Sequence, residues 1–131
     1  MLESTVGTHC ILELVGCPVA LLNDEAYVRR AAATAVHEAG CTLIGLQSHR
    51  FSPQGVTALA LLAESHLSIH TWPEHGFAAV DMFTCGPAES VRTACAGLVR
   101  AFRATEHSAV ILPRGRGMAE SVLPEYAVRL T

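Results

Sequence analysis

The chain has 131 residues, enough for one domain with a real core but short for two, and half of them are hydrophobic while aromatics make up only 5%. Its formal net charge is −3, its nine basic residues are all Arg, and no run of like charge occurs, which excludes the electrostatic footprint of a nucleic-acid binder. No apolar run approaches a membrane span, and Met1-Leu2-Glu3-Ser4 carries an acid where a secretion signal carries basic residues, so the expected location is cytoplasmic with no membrane partner.

Thr8 to Val15 reads as a first strand ended by Gly16-Cys17-Pro18. Asn23 or Asp24 caps a predicted helix that runs to about Ala39, with Gly40 as its stop. Ala31, Ala32, Ala35, Val36 and Ala39 give that helix a small-residue face suited to close packing, and His37 is an ordinary helical histidine. Cys41 to Phe51 is a second expected strand, and Ser52-Pro53-Gln54-Gly55 is the turn before a third, Val56 to Leu62.

The next stretch, Glu64-Ser65-His66-Leu67-Ser68-Ile69-His70-Thr71-Trp72-Pro73-Glu74, concentrates the polar chemistry of a chain in which charged residues are 16% of the total. As a strand it puts His66, Ser68, His70 and Trp72 on one face and Leu67, Ile69 and Thr71 on the other, because side chains alternate with a period of two. Pro73 to Gly76 then forms a hairpin loop into a fifth strand, Phe77 to about Thr84. Pairing Trp72 with Phe77 sets His70 opposite Ala79, Ser68 opposite Asp81 and Ser65 opposite Thr84, and brings Cys85 level with the Glu64-Ser65 peptide bond.

Pro87-Ala88-Glu89 opens a second long helix whose Val91, Ala94, Cys95, Leu98, Val99 and Phe102 follow an amphipathic pattern, making Cys95 a core residue. Glu106 to Leu112 is a last strand, and the tail from Pro113 has no clear periodicity. The order predicts an α+β two-layer sandwich, a mainly antiparallel sheet with helices on one face. The bare face, carrying histidines and serines beside apolar residues, is expected to be covered by self-association.

Five cysteines without a C-x-x-C pair argue against a disulfide framework and a cysteine-rich zinc site. His66 and His70 with Asp81 or Cys85 do not make a recognised metal-ligand spacing, so no metal is expected. Glu64-Ser65-His66 is not a G-x-S-x-G elbow, so acyl hydrolysis is disfavoured, although Ser65 has His70, Cys85 and Thr57 as candidate helpers.

The block from Glu64 to Glu74, with Asp81-Met82-Phe83-Thr84-Cys85-Gly86, resembles the signature of prokaryotic S-adenosylmethionine decarboxylase proenzymes. The similarity extends through His49-Arg50-Phe51, Pro53 and Gly55-Val56-Thr57, and more weakly to Gly7-Thr8-His9, covering most of residues 7 to 86. The resemblance implies self-cleavage of a single decarboxylase domain into a β chain, residues 1–64, and an α chain, residues 65–131. By that resemblance Ser65 attacks the Glu64 carbonyl and becomes a pyruvoyl group, which forms a Schiff base with the substrate amine. His70 transfers a proton in processing, Thr57 assists where relatives often have serine, and Cys85 is the proton donor after decarboxylation. Phe51 resembles the adenine-stacking aromatic and Glu74 the ribose-binding carboxylate, while Trp72, His66 and Ser68 pack or shape the site.

The implied activity is conversion of S-adenosylmethionine to decarboxylated S-adenosylmethionine for spermidine biosynthesis, in an αββα-type homodimer of αβ protomers. No pyridoxal phosphate is required, and a chain without lysine has no anchor for it. Thr8 stands where relatives commonly have arginine, and His75 and Phe77 replace common tyrosines. Two alternatives therefore stand: a pyruvoyl-dependent ornithine or arginine decarboxylase, and an unprocessed, non-catalytic regulatory homologue.

Overall fold

The computed structural model describes residues 6–115. The sheet has six strands: β1 (Gly7–Val15), β2 (Leu43–Arg50), β3 (Val56–Leu62), β4 (Ser65–Trp72), β5 (Phe77–Thr84) and β6 (Glu106–Arg114). They lie in the order β2-β3-β4-β5-β1-β6, and every neighbouring pair is antiparallel. Two long helices, α2 (Glu25–Glu38) and α3 (Ala88–Ala101), pack on one face of this sheet. The expected two-layer arrangement is the one observed.

Alternation in the strands decides which face the helices cover. Val56, Ala58, Ala60 and Leu62 of β3, Leu67 and Ile69 of β4, Ala78, Val80 and Met82 of β5, and Cys10, Leu12 and Leu14 of β1 are all buried. Their helical counterparts are Val28, Ala31, Ala32, Ala35 and Val36 of α2 and Val91, Ala94 and Leu98 of α3. The alanines let α2 approach the sheet closely, and Asp24 caps the helix by accepting from the Tyr27 amide at 3.0 Å. Phe102, fully buried just past α3, meets the Tyr27 ring edge-on at 5.9 Å and closes the core between the helices.

The main departures from expectation are the limits of two strands and one additional short helix. The second strand is shorter, beginning at Leu43, and the last runs on through Pro113 to Arg114 because β1 continues to pair with it. A short helix, α1 (Val19–Leu22), follows Pro18 and was not anticipated, since four residues carry no periodicity. Its role is visible in Thr71, whose buried hydroxyl donates to the Leu22 carbonyl at 2.8 Å and accepts from the Val56 amide at 2.9 Å. The remainder of the tail, 116–131, lies outside the described residues.

Between β4 and β5 the chain makes one 3₁₀ turn, Pro73–His75, closed by Gly76 at φ 60°. An L side chain is disfavoured at that φ, and a Cβ there would also stand 3.3 Å from the Cys17 carbonyl oxygen. This tight turn fixes the register Trp72↔Phe77, His70↔Ala79, Ser68↔Asp81 and Ser65↔Thr84, as the spacing requires.

Among the described residues nothing covers the opposite face of the sheet. Ile11, Leu59, Leu61, Trp72 and Val110 are exposed there beside the polar row of β4. Among the described residues no helix is long and apolar enough to cross a membrane.

Candidate active site

Ser65 begins β4 directly after the two-residue turn Ala63-Glu64, across which Leu62 pairs with Ser65. Its φ is 151°, in a region that glycine enters freely and other residues enter at a cost of about 1–3 kcal/mol. Three hydrogen bonds hold the turn in place: the Ala63 amide donates to the Thr42 carbonyl oxygen at 2.9 Å, and two more reach Glu64. The Cys85 amide donates to the Glu64 carbonyl oxygen at 3.0 Å, and the Thr42 amide donates to Glu64 Oε1 at 3.0 Å.

The Glu64-Ser65 peptide is therefore polarised from one side by a backbone N–H and strained on the other. An amide proton aimed at a carbonyl oxygen is what stabilises negative charge when a nucleophile attacks that carbonyl. Ser65 Oγ, the adjacent hydroxyl, lies 3.3 Å from His66 Nδ1. Cys85 itself is exposed at the end of β5, as the register required.

Behind His66 lies a network that the sequence reading missed. Ser68 stands directly opposite Asp81 and donates to its Oδ1, while His66 Nε2 and His9 Nε2 reach Asp81 Oδ2 at 3.2 and 2.8 Å. The two imidazoles flank Phe83, which pairs with His9 on β1 and His66 on β4, so each meets Asp81 diagonally across strands. Burial pushes Asp81 up, but the bonds from Ser68, His9 and His66 outweigh it and hold the carboxyl below the usual range.

The network orients its own protons. The Arg114 guanidinium can only donate, and it lies 2.6 Å from His9 Nδ1, so His9 carries its proton on Nε2 and gives it to Asp81. His66 likewise donates from Nε2 to the carboxylate and leaves Nδ1 as a base facing Ser65. His9, His66 and Asp81 have converging ligand atoms, and in these tautomers both Nε2 atoms direct protons at the carboxylate. The signal for this cluster was in the register, which placed Ser68 opposite Asp81; the diagonal reach of His9 was not readable without the strand order.

A second cluster lies at the far end of β4. His70 is five residues from Ser65, about 16 Å along the strand at ~3.3 Å per residue. There Thr57 Oγ1 and His70 Nδ1 are 3.1 Å apart, and both line a cavity of about 290 Å³ with Phe51, Trp72 and Glu74. Phe51 is half-exposed and meets His49 edge-on at 4.6 Å. The structure thus brings together Glu64, Ser65 and Cys85 at one end, and Phe51, Thr57, His70 and Glu74 at the other. Within one protomer it does not bring the two groups together.

Comparison with known proteins gives a consistent outcome. The family model described as S-adenosylmethionine decarboxylase matches residues 8–115. An S-adenosylmethionine decarboxylase proenzyme of Prochlorococcus marinus (strain MIT 9313) is 59% identical over 103 residues, 79% of this chain and 82% of that one. A proenzyme of the same name from Methanococcus vannielii is 57% identical over 81 residues, 62% of this chain and 66% of that one. Among solved structures, adenosylmethionine decarboxylase from Aquifex aeolicus superposes with a TM-score of 0.83 at 31% identity, covering 97% of this chain and all of that one. A Trypanosoma brucei AdoMetDC monomer matches at TM-score 0.59 and 18% identity over 79% of this chain and 45% of its own, a likeness of fold.

Proposed function

The chain belongs to the S-adenosylmethionine decarboxylase family, and from that membership we propose a self-processing, pyruvoyl-dependent decarboxylase that acts on S-adenosylmethionine and yields the aminopropyl donor for spermidine synthesis. The observation that carries the reading is the Glu64-Ser65 junction, strained at Ser65 and hydrogen-bonded through its carbonyl to the Cys85 amide.

In the proposed processing, His66 Nδ1 takes the Ser65 hydroxyl proton and Oγ attacks the Glu64 carbonyl carbon. Negative charge gathers on the oxygen that already accepts from Cys85 N–H, so its stabilisation needs no rearrangement. Collapse transfers the acyl group from nitrogen to oxygen and releases the strained φ. Elimination across the Ser65 Cα–Cβ bond then frees residues 1–64 as a carboxylate, and hydrolysis of the remaining dehydroalanine, with loss of ammonia, leaves a pyruvoyl group at the head of residues 65–131. The donor set fits that group: a hydroxyl at a turn, a neighbouring base and an amide proton on the carbonyl to be attacked. Among these events the elimination needs a base at the Ser65 α-proton, a role proposed for His70 with Thr57 beside it.

His70 is at the wrong end of β4 to serve Ser65 of its own chain, and this supports a composite site. A second copy packed on the bare sheet face in antiparallel sense would set the Phe51, Thr57, His70 and Glu74 cluster of one subunit against the Ser65 and Cys85 cluster of the other. The exposed Ile11, Leu59, Leu61 and Val110 supply apolar surface for that homodimer.

A pyruvoyl ketone at position 65 would supply a carbonyl for the substrate amine and a sink for the electron pair released with carbon dioxide. Cys85 then returns a proton to the substrate α-carbon. Phe51, an aromatic face that suits both adenine and a sulfonium cation, and Glu74, an acceptor for ribose hydroxyls, line one cavity and favour the nucleoside substrate over a basic amino acid. Carbon dioxide release from carboxyl-labelled S-adenosylmethionine, ornithine and arginine tests this. Release from S-adenosylmethionine alone is expected, and release from either basic amino acid in its place would overturn the substrate assignment.

A further inference from the structure

We propose that Cys10 and Cys95 form a redox-modifiable dithiol, which a hydroperoxide closes into a disulfide between the strand β1 and the helix α3. On the reading of cleavage after Glu64, on which this consequence rests, the bridge ties the upstream fragment to the downstream one.

The two thiols are already in contact. Cys10 is on the helix-facing side of β1, Cys95 on the sheet-facing side of α3, and their Sγ atoms are 3.3 Å apart. A disulfide brings sulfurs to about 2.05 Å, so closure needs an approach of roughly 1.3 Å. Both residues are buried, at 0% and 7% exposure, but both also line a cavity of about 170 Å³ bordered by Arg92, His107 and Ile111. That cavity is large enough to admit a molecule as small as hydrogen peroxide.

The environment makes the two sulfurs unequal. Hydrogen bonding from Cys95 lowers Cys10 below the usual thiol range, burial opposes this, and the Arg92 charge adds to the lowering. Cys95, which gives its proton to the shared bond, is pushed up by that bond and by burial. Cys10 is thus the better thiolate and Cys95 the resolving thiol.

The chemistry balances with one peroxide. The Cys10 sulfur attacks one peroxide oxygen, the O–O bond breaks, and the departing hydroxide takes a proton to leave as water. The Cys95 sulfur attacks the resulting sulfenic acid and expels a second water. Two thiols and one hydrogen peroxide become one disulfide and two waters, with two electrons passing from sulfur to oxygen. Neither cysteine lies in the stretches quoted above as carrying the family resemblance, and neither takes part in the proposed decarboxylation.

The test uses the purified, processed protein treated with hydrogen peroxide, alkylated, and run on denaturing gels with and without reductant, followed by peptide mapping. The expected result without reductant is one species near the intact chain's 13.9 kDa, split by reductant into two fragments, with two of the five thiols lost to a Cys10–Cys95 linked peptide. Cys95→Ala should abolish the bridge. Two separate fragments without reductant, or a link mapped to another pair such as Cys41 with Cys85, would overturn the proposal. If the chain runs whole even in reductant, self-cleavage has failed, and the map still decides: a linked Cys10–Cys95 peptide supports the dithiol, and both residues alkylated reject it.

Discussion

The amide of Cys85 and the carbonyl oxygen of Glu64 are 3.0 Å apart, so the residue proposed for the final proton transfer also points its backbone N–H at the carbonyl proposed to be attacked in processing. The end of β5 and the turn before β4 are held together by this bond, and the chemistry of both stages converges on a few residues. Each stage makes separable demands on neighbouring side chains.

The strain at Ser65 is measurable in unprocessed protein. Ser65→Ala and Ser65→Gly both lack the hydroxyl and both should stay whole. At φ 151° the glycine variant is relieved and the alanine variant is not, so Ser65→Gly should be the more stable by about 1–2 kcal/mol after glycine's greater unfolded-state entropy is deducted. Denaturant unfolding of the two variants checks this; equal stabilities would contradict a strained junction.

His66 acts as base only if its Nδ1 faces Ser65. His66→Ala should slow self-cleavage by roughly 10²–10⁴-fold, the usual worth of a positioned base, with the fold intact. Time courses of fragment appearance by mass spectrometry measure the rate. Cleavage at the wild-type rate would remove His66 from the mechanism.

Asp81 predicts an acid limb of stability. Its folded-state pKa is depressed, so its contribution is fully present above the unfolded carboxylate value of about 4 and is lost as pH falls through the lower folded value. Asp81→Asn removes this titration. Unfolding free energy measured from pH 6 down to pH 2 should fall less steeply in the variant than in the unsubstituted chain; parallel curves would mean that the His9, His66 and Ser68 bonds do not favour the charged form.

The composite site predicts complementation. A tagged His70→Ala chain should remain uncleaved alone, but be cleaved when co-expressed with Ser65→Ala, which supplies His70 from the other subunit. No cleavage in the mixture would place processing within one chain and leave the distance along β4 unexplained.

Much of this was legible before any coordinates. Alternation along residues 65–84 and a loop short enough to be a tight turn determined the β4–β5 register, and that register carried Cys85 to Glu64. The small-residue face of α2 and the stripe of α3 specified the buried layer because a helix shows its period over fourteen residues. What was not legible depends on strand order: β1 inserts between β5 and β6, far from its sequence neighbours, and only this puts His9 on Asp81 and Cys10 against Cys95. The separation of His70 from Ser65 was present in the strand spacing, yet a shared motif suggested proximity that an extended chain does not provide.

The central claim is that the chain breaks itself before Ser65 and converts that residue into a reactive ketone. Intact-mass and fragmentation spectra of purified protein, with and without a carbonyl reagent such as phenylhydrazine, test it most directly. The account predicts two fragments, residues 1–64 and a downstream piece that begins with a pyruvoyl group and gains one adduct. A single continuous polypeptide of full mass, with an ordinary serine amide after Glu64 in material that still releases carbon dioxide from S-adenosylmethionine, would contradict it.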